Sequence, residues 1–196
     1  MSSPQPVIFL SHGGGPSFFL SAKEMPLLKG LDKDSKGAEF LRTLTKTQDL
    51  RRPDCLVVLS AHWEESICTV NAGSPHTLYY DYGGFPPETY KIQWPAPGAP
   101  AIAQKVGKLL KDAGIKCAEE TKRGLDHGVF VPLKLVFPEA NIPVVQVSLL
   151  KNERMSDHLR IAEALSPLRH NNILIIGSGF ATHAIGHSIE PEKWAQ

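Results

Sequence analysis

Three short runs of the chain are apolar without alternation: Val7-Ile8-Phe9-Leu10, Cys55-Leu56-Val57-Val58-Leu59 and Ile173-Leu174-Ile175-Ile176. A strand with one face in water alternates polar and apolar side chains, whereas a strand that is apolar at every position needs cover on both faces. The runs therefore predict buried strands of a sheet with helices on either side. Between them lie segments of helical spacing. Ala38 to Leu50 places Phe40, Leu41, Leu44 and Leu50 at apolar points and stops at Arg51-Arg52-Pro53. Pro100 to Ala113 has proline in its first turn and Gly114 beyond its end, a usual pairing of start and stop residues. Val129 to Phe137 predicts a short helix, and Ser156 to Leu165 another with Ser156 as N-cap. Ser66–Asn71 and Pro143–Leu149 read as further strands. Alternation of strands and helices predicts an α/β fold with a mixed, largely parallel central sheet flanked by helices. No repeat, low-complexity tract or linker divides the chain, so residues 1–196 are expected to form a single domain.

Charge narrows the function classes. Twenty-one Lys and Arg against twenty Asp and Glu give a formal charge of +1, which provides no basic field for nucleic acid. No apolar run approaches the roughly 20 residues that span a bilayer. The first six residues, Met1 to Pro6, hold no basic residue, which predicts no signal peptide and a cytoplasmic protein. Cys55, Cys68 and Cys117 are widely spaced and odd in number, as expected of reduced thiols. Residues 73–100 break the pattern with six prolines and four tyrosines. A long irregular segment of this kind inside a compact domain is usually functional.

Histidines mark the strand ends. His12 follows the first run, His62 follows the second, and His183 lies a few residues past the Gly177-Ser178-Gly179 turn expected after the third. Ligands of open α/β sheets sit beyond the carboxyl ends of the strands, so these three side chains can converge on a metal ion, for which imidazole is a good ligand. Singly, each also reads as a hydrogen-bonded loop residue. His127, in Gly124-Leu125-Asp126-His127-Gly128, suits either a general acid or base on an accessible loop or a simple Asp-His turn. His158 and His170 stand among polar residues and read as solvated; His76 is expected at the surface or within reach of substrate. The glycines of Ser11-His12-Gly13-Gly14-Gly15-Pro16-Ser17 are not a P-loop, because no Lys-Ser or Lys-Thr follows. Ser178 is not a nucleophile elbow, because Ile176 and Phe180 stand where glycines are required.

Six segments in order carry a resemblance: Leu10-Ser11-His12-Gly13-Gly14, Ser60-Ala61-His62-Trp63, Asp81-Tyr82-Gly83-Gly84-Phe85-Pro86, Trp94-Pro95-Ala96-Pro97-Gly98, Gly124-Leu125-Asp126-His127-Gly128, and Gly177-Ser178-Gly179 followed by His183. Together they resemble the class III extradiol ring-cleavage dioxygenases, in the branch that includes the DOPA 4,5-dioxygenases. The resemblance implies a non-haem Fe(II) site, which zinc can also occupy, acting on a catechol with O2. It implies that His12 and His62 are metal ligands. It puts His183 at the metal, as ligand or as acid/base, and makes His127 the histidine that handles substrate and oxygen protons. It sets Asp81, Tyr82 and Phe85 near the substrate entrance; by their residue types Tyr79, Tyr82 and Phe85 read either as faces that stack on the ring or as simple packing of a long loop. It also implies a further ligand beyond the equivalent of Gln196, so the chain is expected to lack the C-terminal part of its catalytic domain and to bind metal weakly. A zinc hydrolase on the same histidines and an inactive, weakly metal-binding isoform are the other readings kept open.

Overall fold

The apolar runs become strands of one six-stranded sheet in the computed structural model, which describes residues 3–48 and 50–180. The strands are β1 (Val7–Ser11), β2 (Cys55–Glu65), β3 (Cys68–Asn71), β4 (Cys117–Glu120), β5 (Val144–Leu150) and β6 (Ile173–Gly179). Their order is β1-β6-β2-β5-β3-β4. Every neighbouring pair is parallel except β3 with β5, so the sheet is mixed and largely parallel, as expected. The helices are α1 (Lys36–Thr47), α2 (Pro100–Asp112), α3 (His127–Val136) and α4 (Met155–Leu165).

The lack of alternation in β2 has a direct cause. Leu56 and Val58 face a core shared with α1 and α3, while Cys55 and Val57 face a second core shared with α2 and α4. Leu56, Val57 and Val58 are all fully buried. Complete burial of such a side chain contributes about 1.5–3 kcal/mol, so both faces favour the same central position.

Several boundaries differ from expectation. β1 is an edge strand and not a buried one: Val7 and Phe9 are 59% and 65% exposed, because the second core ends before reaching it. α1 begins at Lys36, where Ser35 Oγ accepts the Ala38 N–H, and its Phe40 faces outward. In α4 the N-cap position belongs to Arg154, and Ser156 lies inside the first turn. The polar strand β4 carries no apolar run and gave no sequence signal; it forms because β3 offers it an open edge. His158 is not solvated: its Nε2 accepts the Leu150 N–H and its Nδ1 donates to the Arg154 carbonyl. The three cysteines are free thiols. Among the described residues no helix is long and apolar enough to cross a membrane.

Three departures shape the site. β2 passes through a register irregularity after Leu59 and continues to Glu65, which puts His62 inside the strand. β6 continues through Gly177-Ser178-Gly179, the segment expected to turn. α3 starts at His127, two residues before the expected helix.

Candidate metal centre

Strand order brings the histidines together. β6 lies between β1 and β2, so residues at the carboxyl ends of all three strands are neighbours. His12 leaves β1 with its N–H donating to the Gly179 carbonyl at 3.1 Å. The N-terminus of α3 adds His127 to the same place. A ring nitrogen from each of His12, His62 and His127 lies within 4.8 Å of the other two. His12 Nε2 and His62 Nε2 face each other at 3.0 Å. His12 is 1% and His127 5% exposed, while the His62 side chain is 31% exposed, so the cluster is open to solvent on the His62 side.

The opposite edges of the His12 and His127 rings meet fixed acceptors. The Ser178 hydroxyl donates its one proton to the Gly128 carbonyl. Towards His12 Nδ1, at 3.0 Å, Ser178 Oγ must therefore accept, which places the His12 proton on Nδ1. Asp81 Oδ1 accepts both from the His127 backbone N–H at 2.9 Å and from His127 Nδ1 at 2.8 Å. The other carboxylate oxygen, Oδ2, lies 3.7 Å from His62 Nδ1. Burial raises the Asp81 carboxyl, but the hydrogen bonds and charge of His127 outweigh it and hold the pKa below the usual value. An ionised Asp81 thus favours Nδ1–H in His127. His12 and His127 then each turn an Nε2 lone pair away from the anchor, the state in which histidine ligates a cation. Three imidazole donors so arranged fit a first-row transition metal.

Close approach of α3 depends on Gly128. A Cβ there would stand 2.5 Å from Ser60 Oγ and 3.1 Å from His12 Nδ1, so any side chain drives the helix off the cluster. Beneath it, the fully buried Asp126 accepts from Ser60 Oγ at 2.7 Å and from Gln146 Nε2. Ser60 Oγ in turn accepts the His62 N–H at 3.2 Å. Arg123 reaches Asp126 and the His62 carbonyl while its guanidinium lies 5.1 Å from the rings of both Trp63 and Tyr79. The aromatic loop walls one side. The Tyr82 ring is 6.0 Å from that of His127 and 5.5 Å from that of Phe85. Tyr82 Oη donates to the Thr89 carbonyl, and Phe85 lies against Gly15, where a Cβ would be 2.9 Å from its ring.

Residues 6–193 match the family described as the catalytic LigB subunit of aromatic ring-opening dioxygenase. The chain belongs to this family. It is 42% identical over 182 residues to the dioxygenase tasH of Hapsidospora irregularis, covering 90% of this chain and 54% of that protein. It is 39% identical over 153 residues to a 4,5-DOPA dioxygenase extradiol of Mirabilis jalapa, covering 78% of this chain and 57% of the relative. The crystal structure of the uncharacterized protein JW3007 of Escherichia coli K12 superposes with a TM-score of 0.69 at 30% identity, over 91% of this chain and 61% of that one. The chain thus spans 54–61% of the length of these relatives.

Within this LigB-family chain, the structure brings His12 and His62 together, as their strand-end positions predict. His127 joins them, but from the first residue of a helix and buried, not from an accessible loop. Asp81, expected near the substrate entrance, is engaged with His127 and faces His62. Tyr82 and Phe85 lie on the side wall. His183 lies outside the described residues. Sequence reasoning missed Ser178, Ser60 and Gln146 as supports. Their one signal is that they are polar residues within strands that are otherwise apolar, and each is fully or almost fully buried.

Proposed function

We propose that this chain carries the metal-binding part of an enzyme that opens a catechol ring with O2, in the extradiol manner. The observation that supports it best is the convergence of three imidazoles whose Nδ1 edges face Ser178 and Asp81. His12 and His62 would hold iron(II), with His127 in reach of the same centre. Iron(II) bound there supplies a Lewis acid and a one-electron redox centre, which joining a catechol to O2 requires. His127, with its Nδ1 proton held by Asp81, offers Nε2 to take a proton from a catechol hydroxyl and later return it. Tyr82 and Phe85 offer apolar ring faces for an aromatic substrate. The near-complete burial of His12 and His127 keeps bulk water from that side of the centre.

The test is anaerobic loading with iron(II), followed by oxygen uptake on a small panel of catechols that includes DOPA. Catechol-dependent uptake with a ring-opened product is the expected result. Three imidazoles are also the donor set of zinc hydrolases. Tight zinc binding with no uptake on any catechol would replace the dioxygenase reading with that one.

A further inference from the structure

His62 sits where β2 leaves its regular ladder. On one side the strand pairs with β5 through Leu59 and again from Glu64; on the other its register with β6 runs to Ser60. Side chains grip the His62 backbone in that interval. Its N–H donates to Ser60 Oγ at 3.2 Å, and its carbonyl accepts from Arg123 Nη2 at 3.1 Å. Both of those side chains end on one carboxylate. Ser60 Oγ donates to Asp126 Oδ1 at 2.7 Å, and Arg123 Nη2 to Asp126 Oδ2 at 3.4 Å. Asp126 is fully buried and directly precedes His127. Arg123 is itself fixed. Its guanidinium lies over the rings of both Trp63 and Tyr79, its backbone N–H donates to Glu120 Oε1 at 3.2 Å, and its backbone carbonyl accepts from Asn71 Nδ2 at 2.8 Å.

We infer that Arg123 is a positioning residue that fixes the backbone of His62 against the start of α3, and so sets the place of His62 relative to His127. Charge and shape both favour arginine here. A buried carboxylate needs a compensating cation, and a guanidinium keeps its charge at any working pH. Nη2 carries two N–H bonds, one for the His62 carbonyl and one for Asp126. The flat guanidinium also stacks on aromatic faces, which an ammonium does less well. Lysine keeps the charge but places it on a compact, flexible head, so it balances Asp126 without holding the His62 carbonyl in the same place. Removing the side chain leaves that carbonyl to water, which does not fix its position. This deepens the metal-centre reading and rests on it only for the effect on metal affinity.

Amide hydrogen exchange tests it in the 196-residue chain without metal, comparing wild type with Arg123→Ala and Arg123→Lys. Arg123→Ala should speed exchange at residues 61–63 by about 10-fold or more relative to residues 56–58 of the same strand, as loss of a hydrogen bond from a charged group does. Arg123→Lys should show the same local rise with a thermal midpoint closer to wild type, because the charge of Asp126 stays balanced. That variant carries the test if Arg123→Ala does not fold. Competition with a chelator for zinc or cobalt(II) should show affinity falling by about 10–100-fold in either variant, the usual loss when an outer support of a ligand is removed. A rise shared equally along β2 marks a general loss of stability and overturns the inference, as does unchanged exchange at residues 61–63 or metal bound as tightly as in wild type. Wild type that takes up no metal, with exchange at His62 that still follows Arg123, overturns the metal reading and leaves the role of Arg123 standing.

Discussion

A histidine ligates a cation only through a ring nitrogen that carries no proton, so what matters at the residue scale is the partner of the other nitrogen. His12 has Ser178 and His127 has Asp81. His12→Ala or His62→Ala should remove stoichiometric iron or zinc while circular dichroism stays close to wild type. Metal content by mass spectrometry checks it, and full occupancy in either variant would count against that residue as a ligand. His127→Ala separates proton transfer from ligation. The variant should retain metal and lose turnover by roughly 10²-fold or more, as loss of a positioned acid or base does. Loss of the metal instead would make His127 the third ligand, a place its ring nitrogen is near enough to take.

At the scale of the element, α3 is the part that closes the cluster from above. Its first residue is a site histidine and its second is a glycine pressed against Ser60 and His12. Most of the helix is buried, from His127 through Leu133, so it has little freedom to shift. Gly128→Ala should therefore destabilise the fold by about 1–3 kcal/mol, the usual cost of overpacking. It should also weaken metal binding, because the added methyl meets the ring of His12. Urea denaturation and chelator competition measure the two effects; an unaltered affinity would show that the helix can withdraw without disturbing the rings.

The whole molecule has a second histidine-dependent feature, away from the cluster. His76 stands where the aromatic loop meets β5, its Nε2–H donating to the Val144 carbonyl at 2.9 Å. Among the described residues its buried Nδ1 has no partner. Burial lowers its pKa below the ordinary 6.5, and the Val144 bond offsets this only in part. The sign follows: the unfolded chain takes up the proton first as pH falls. This contribution is whole above about pH 6.5 and is lost progressively as pH drops from there through the lowered folded value. Urea midpoints measured from about pH 8 down to about pH 5 should fall less steeply in His76→Gln, which keeps the donor to Val144, than in wild type. Parallel curves would remove His76 from the acid sensitivity of the fold.

The apolar runs of β2 and β6 were legible because burial on both faces leaves its mark on every residue of a strand, and a local pattern is all such a reading needs. His12 and His62 were legible for a related reason: a parallel sheet puts its strand ends on one side, so a polar residue next to each run falls near the others. β4 was not legible, since an exposed edge strand demands no apolar residue. Nor was the burial of His127, whose flanking glycines read as loop residues until Gly128 is seen pressed against Ser60. The pairing of Asp81 with His127 spans 46 residues, and that of His12 with Ser178 spans 166. Hydrophobic periodicity reports only what a residue needs within a few positions of itself. Which acceptor meets which imidazole depends on strand order and on the path of a long loop. The sequence by itself therefore determined the layered fold and the candidate ligands, and only the tertiary structure decided which groups hold them in place.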